Sequence, residues 1–342
     1  MTKLWKCFEN ILVATDFSDA AGAAVDTAVP IARRCGAKLT FAHVVPDAAA
    51  SLAMANYGDG GGPLWVPTPD DAARLQNELR EGAEQRLRKL VLEMRTGGLD
   101  LATEVLIGEP YESIIEAVKQ KGIDLVVVGT RGMSAIKRVF VGSTATRLAR
   151  MCPVPVWVAR GGLPDNAQTV LAAVDFSPVS ERIVSVSASM AAALNARLHV
   201  LHVYDTNELY GAPTISDETR AEFSYYRRRA RREAFGRLEQ LVESQAAGHG
   251  TATFHVAQGT AHRVINSTAR RLDAGLVVMG SVGRRGLSAL FIGNTAEKVL
   301  HTLHRSLLVI KPAEFEAKAP KPESAGGERR ELQTTVASTF VG

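Results

Sequence analysis

The residues of this chain with the clearest chemical potential are glycines and hydroxyl residues rather than acids or nucleophiles. Gly129-Thr130-Arg131-Gly132 is followed, nine residues further on, by Gly142-Ser143-Thr144-Ala145. The set comes directly behind an apolar run, Asp124 to Val128, that reads as a fully buried strand. Gly129 is thereby placed at a strand's carboxyl end, and in an open α/β sheet ligands collect in the crevice outside those ends. A residue without Cβ lets another group come close to the backbone there. Ser143 is expected to N-cap a helix over Thr144 to Met151, which stops at Cys152-Pro153. The free N–H groups and dipole of such a helix start favour an anion, phosphate above all. The spacing is neither a Walker loop nor a G-x-G-x-x-G fingerprint. The competing reading is that these glycines serve only tight loops and a cap. Asp16 stands at the tip of a first strand, Ile11 to Ala14, and faces the same crevice. Its carboxylate either accepts hydrogen bonds from a ribose or adenine edge or caps the Asp16-Phe17-Ser18 turn into a helix, and the two roles are compatible.

Other chemistries find little support. Cys7, Cys35 and Cys152 are far apart and form neither a disulfide framework nor a zinc site, which suits a reducing cytoplasm. His43 and His202 lie inside strands and read as packed, hydrogen-bonded residues, not metal ligands. A Gly-x-Ser-x-Gly elbow is missing, as is any nucleophile paired with a base, so a dedicated hydrolase is not indicated and at most slow ATP turnover remains. The run Arg227-Arg-Arg-Ala-Arg-Arg232, flanked by glutamates, reads as a solvated helix rather than a nucleic-acid surface. Lys137 and Arg138 fall in the nine-residue spacer, where they could steer an anion. The 342 residues are 46% hydrophobic and 22% charged, an ordinary globular balance, and a net charge of +4 does not argue for nucleic acid. No apolar stretch approaches the ~20 residues of a membrane span.

The elements that position these residues are legible because the chain is written twice. Ile11-Leu-Val-Ala-Thr-Asp16-Phe-Ser18 recurs as Val170-Leu-Ala-Ala-Val-Asp175-Phe-Ser177, an offset of 159 (175 − 16). His43 and His202 keep that offset. Gly129, Gly132 and Gly142 recur as Gly280, Gly283 and Gly293 at an offset of 151 (280 − 129). One net loss of eight residues (159 − 151) between His202 and Gly259 reconciles the two halves. Strands and helices alternate within each half, so each is expected to be a parallel, doubly wound sheet with helices on both faces. The segment from Pro46 to Pro69 reads as a long loop. Residues 1–160 and 168–312 form the two domains, 161–167 a linker, and 313–342 a disordered tail.

The second copy departs from the first at the helix start. Ser143 becomes Asn294, and Glu297 stands where the first half has Thr146. Asn294-x-x-Glu297 matches a capping box, in which the carboxylate folds back on the helix start and repels phosphate. On this reading the second site is self-capped and takes nucleotide poorly.

The G-2x-G-9x-G-[S/T] spacing resembles the nucleotide motif of the universal stress proteins, and Gly293-Asn294-Thr295 in the second half is similar to the tandem, two-domain members of the E type. The resemblance covers nearly everything up to Pro312. It implies two Rossmann-like domains of five parallel strands each, joined as a pseudo-dimer through their last strands, Val154 to Ala159 and Ser306 to Ile310. It also implies ATP as ligand, with Mg2+ held by the phosphates. Ala14, Thr15, Asp16 and Val44 would meet the base, and Gly129, Arg131, Gly132, Gly142, Ser143, Thr144 and Ala145 would line ribose and phosphates. The equivalent second-half positions are Ala173, Val174, Asp175, Val203, Gly280, Gly283, Gly293, Asn294 and Thr295. The implied role is a cytoplasmic, ATP-binding stress-response module read by a protein partner, with further assembly into a homodimer open. The alternatives are a nucleotide-free scaffold, a binder of an apolar ligand between the halves, and a slow ATPase.

Overall fold

The structure is a computed structural model of the full chain and describes residues 8–55, 68–94, 98–130, 141–161, 168–204, 217–245, 252–282 and 292–312. In the first half, β1 (Asn10–Ala14), β2 (Lys38–Val45), β3 (Leu101–Ile107), β4 (Leu125–Gly129) and β5 (Val156–Ala159) are all parallel, in the order β3-β2-β1-β4-β5. The second half repeats this with β6 (Thr169–Val174), β7 (Arg197–Tyr204), β8 (Ala252–Gln258), β9 (Leu276–Gly280) and β10 (Ser306–Ile310). The two five-stranded sheets meet through their last strands. β5 and β10 pair antiparallel, Val158 opposite Leu307 and Val156 opposite Val309, which makes one ten-stranded sheet.

The helices cover both faces. α1 (Asp19–Cys35), α3 (Pro69–Met94), α6 (Val179–Leu194) and α7 (Asp217–Gln245) lie over one core, which holds Ile31, Leu87, Trp157, Val184 and Leu238. The opposite core packs under α4 (Pro110–Lys121), α5 (Ser143–Met151), α8 (Ala261–Arg271) and α9 (Asn294–Thr302), with Ile114, Leu148, Ile265 and Val299. Both cores run through the two halves, so the sheet is buried on both sides, as near-continuous Val/Leu/Ile strands require.

Helix limits follow local chemistry. Ser18 caps α1 by accepting the Ala21 N–H at 3.3 Å, and Gly36 ends it in the left-handed conformation that glycine adopts without strain (φ 67°). Part of the segment expected as loop is helical: α2 (Ala48–Ala55) is alanine-rich, and the Asp47 carboxylate accepts the Ala50 N–H at 3.0 Å to start it. Residues 56–67 of that loop, the spacer 131–140, most of the linker and the tail lie outside the described residues.

Candidate functional site

In each half the strand order reverses direction between the first and fourth strands, and the crevice outside their carboxyl ends is the topological switch point. Asp16 lies there, and one of its carboxylate oxygens accepts the Ser18 N–H at 3.1 Å and the Ser18 hydroxyl at 2.5 Å. The capping role is therefore present. Asp175 repeats it on Ser177 at 3.0 and 2.5 Å. Thr15, expected to offer backbone groups to a base, spends its N–H on the Ala42 carbonyl (2.9 Å), and its own carbonyl accepts from His43 Nδ1 (2.7 Å). His202 Nδ1 donates likewise to the Val174 carbonyl at 2.9 Å. Both histidines are packed and hydrogen-bonded, as their place inside strands implies.

Sequence reasoning missed the neighbours of these histidines. Phe17 and Phe176 both have φ of 62°, a left-handed conformation uncommon for a bulky residue. The Phe17 ring lies against His43 (centroids 4.5 Å apart), with the Arg86 guanidinium 4.0 Å from its centre. Phe176 has the same company in His202 (4.2 Å) and Arg237 (4.1 Å). The signal was available: Arg86 and Arg237 keep the 151 offset (237 − 86), which narrows the gap between halves to the stretch before Arg237. These stacks pack on the α1/α3 side, whereas Ala14 and Val44, and Ala173 and Val203, pack with the opposite core. The strand tips thus separate an aromatic brace from the notch facing α4 and α5.

On the notch side, Gly142 N–H donates to the Thr130 carbonyl at 2.6 Å, tying the start of α5 to the tip of β4. Gly293 repeats the tie to Ser281 at 2.7 Å. Gly142, not Ser143, is the N-cap residue (φ −62°, ψ 157°), because its carbonyl already closes the first turn on Thr146 N–H at 3.0 Å. Ser143, Thr144 and Ala145 are the first helical residues, and among the described residues no side chain caps the helix start. Gly293 stands likewise before Asn294 and Thr295. Arg131, Gly132 and Gly283, with Lys137 and Arg138, lie outside the described residues.

Two further expectations change. Gly129 leaves room for the chain itself: a Cβ there would fall on the Ala20 carbonyl, 2.7 Å from its carbon, so the glycine admits the first turn of α1. The capping box of the second half does not form. The helix starts one residue early, and the Glu297 carboxylate meets the Arg150 guanidinium at 3.1 Å, across the junction between halves. Glu297 nonetheless stays in the first turn of α9, where the first half has the neutral Thr146.

The notch rims also differ. Tyr111 donates to Glu112 at 2.5 Å, which raises its pKa, and Arg147 lies 4.7 Å from the ring centre. At the equivalent second-half positions stand His262, Arg263 and Lys298, and burial, then Lys298 and Arg263, hold the His262 pKa below its usual value. No group of three potential metal ligands occurs among the described residues, and no described helix is long and apolar enough to cross a membrane.

The model of the universal stress protein family matches residues 8–160 and again 166–311. The chain belongs to the universal stress protein family. Among its relatives, Universal stress protein E of Escherichia coli strain K12 is 25% identical over 325 residues, covering 90% of this chain and 96% of that protein. Two solved structures share the fold: a functionally unknown protein from Pseudomonas aeruginosa PAO1 (TM-score 0.62, 23% identity, 91% of this chain and 95% of that one), and a universal stress protein from Archaeoglobus fulgidus DSM 4304 (TM-score 0.62, 20% identity, 88% and 98%). As a tandem member of the family, the chain carries two universal stress domains on one sheet.

Proposed function

We propose that this tandem universal stress protein is an ATP-binding regulatory module whose nucleotide sits in the first-half notch. The observation that carries the reading is the start of α5. It lies at the switch point, tied to the β4 tip through Gly142 and Thr130, with no side-chain cap from the described residues over its first turn. An uncapped helix start beside a strand tip supplies N–H donors and a positive dipole end for phosphate. Ala14 and Val44 offer an apolar floor for a base, and Asp16 stands two residues beyond Ala14. Mg2+ would ride on the phosphates. Only the first half has the hydroxyl residue after its third glycine, so one nucleotide per chain is expected. The stress signal would be read through loops beside the notch by a partner protein in the cytoplasm.

Gly142→Asp tests this cleanly. The backbone there already has the extended geometry of an N-cap residue, so an aspartate would cap the helix and fill its positive end with a carboxylate. Calorimetric titration with ATP should show binding to the wild type and a loss of about tenfold or more in the variant, equal to roughly 1.4 kcal/mol. Thermal stability should be unchanged or higher. Equal ATP affinity in the two proteins rejects the site, and no ATP binding by the wild type rejects the function.

A further inference from the structure

The second half has a cavity of about 260 Å³ between α8 and the turn leading from α9 into β10. This is the amino end of the sheet's strands, opposite to the notch. Ala269 and Leu303 supply its apolar part, and Asn266, Thr302, Arg270, His304 and Arg305 the polar part. The first half serves as an internal control. At the 151 offset (266 − 115), Ile115, Met151, Pro153 and Val154 stand where Asn266, Thr302, His304 and Arg305 stand. Ile115 is buried, and Met151 and Val154 pack on the core. The first half has hydrocarbon at these four positions, with Lys119 standing where Arg270 stands, and the second half has an amide, a hydroxyl, an imidazole and a guanidinium.

The amide is oriented by its neighbours. Thr302 donates its hydroxyl proton to the Lys298 carbonyl at 2.6 Å and accepts from Asn266 Nδ2, 2.7 Å away. That leaves Asn266 Oδ1 as the other end of the amide, shielded from solvent and without a donor among the described residues. A buried acceptor left unpaired is costly, at about 1–3 kcal/mol. Around it the cationic groups are the guanidiniums of Arg270 and Arg305. Asp273 holds Arg305 at 2.5 Å, but its own side chain is 84% exposed, on the solvent side of the pair. A cation-lined cavity with an unpaired acceptor suits an oxyanion that also carries a proton.

We propose that this cavity is a phosphate site, in which a protonated phosphate oxygen donates to Asn266 Oδ1 while the charged oxygens face Arg270 and Arg305. The ligand class is inorganic phosphate, which keeps a proton at neutral pH, whereas a monoester with a second pKa of about 6 is largely a dianion there. Sulfate has the same shape but no proton at neutral pH, so it leaves the amide unpaired. A site built around a hydrogen bond rejects an analogue that cannot make it.

The test is an NMR titration of the full chain with inorganic phosphate, glycerol phosphate and sulfate, following the Asn266 side-chain amide and the Arg270 and Arg305 Nε–H signals. Saturable shifts are expected with phosphate, at least about tenfold tighter than with sulfate. Comparison of the first two ligands tells free phosphate from a monoester. Asn266→Ile, which installs the first half's residue, and Arg270→Gln, at an exposed position, should each weaken phosphate by about tenfold. Absence of saturable shifts at these residues overturns the proposal. So does equal response to phosphate and sulfate that survives both substitutions, which would leave a water-filled gap.

Discussion

Gly129 and Gly280 occupy equivalent positions yet meet different obstacles. A Cβ on Gly129 would strike the backbone carbonyl of Ala20, which cannot rotate away. A Cβ on Gly280 would meet the Val179 side chain at 2.8 Å, and a side chain can give. Gly129→Ala should therefore cost about 3 kcal/mol and Gly280→Ala about 1 kcal/mol, measured by urea unfolding. Equal costs would mean that the Ala20 contact is not the constraint. The spacing of the glycines was legible in the sequence, but this reason for the first one was not, because Ala20 is distant in sequence and the approach is made by backbone. The same limit hid Phe17. A residue type that disfavours the left-handed region gives no local sign of adopting it, and the His43 and Arg86 contacts, contributed by β2 and α3, join the Phe17 N–H bond to Thr15 Oγ1 (3.0 Å) in holding it there.

At the scale of elements, local signals read well wherever the deciding partner was local. Gly36 and Gly122 end α1 and α4 in the left-handed conformation (φ 67° and 61°), as glycine after a periodic run implies. The strands were legible as buried apolar runs, and the duplication fixed their order by analogy between halves. The start of α9 was misread because a capping box is a local pattern, while the partner that wins Glu297 is Arg150, 147 residues away. This pair is partly exposed, with side chains 37% and 43% accessible, so solvent screens it and its worth is about 0–1 kcal/mol. Glu297→Gln should accordingly change stability by less than about 1 kcal/mol. It should also leave helix-start amides of α9 equally protected in hydrogen exchange. Loss of that protection would restore the capping box.

Across the whole molecule, the two halves are cross-tied by mirrored contacts at the ends of the joining strands. Arg160, after β5, donates to the Leu300 carbonyl in the last turn of α9 at 2.8 Å. Its counterpart Lys311, after β10, donates to the Ala149 and Arg150 carbonyls in the last turn of α5 at 2.5 and 2.8 Å. Each half thus caps, with a basic side chain, the helix whose other end faces the other half's notch-bearing strand tips, satisfying last-turn carbonyls that lack intrahelical partners. Lys311 is fully buried, and burial, with Arg150 adding to it, lowers its pKa from 10.5 to about 7. The nearby Cys152 thiol is pushed by burial from 9.0 up to about 11. The sign follows from proton counting. Above pH 7 the unfolded chain keeps a proton on this lysine that the folded chain has released, so stability rises with pH, by at most about 1.4 kcal/mol per unit. Below pH 7 both states hold the proton and the contribution is flat. Above pH 9 the thiol works in the opposite direction, because the folded chain retains a proton the unfolded chain loses. The clean window is therefore pH 7 to 9. Lys311→Met removes the titration while keeping the length and an apolar stem. Subtracting its urea-unfolding free energy from that of the wild type cancels every other group, and the difference should climb in favour of the wild type across that window. A difference that stays level from pH 7 to 9 would mean that Lys311 keeps its charge in the folded chain, and that the tie between the halves is a permanent ion rather than a neutral amine donating to α5.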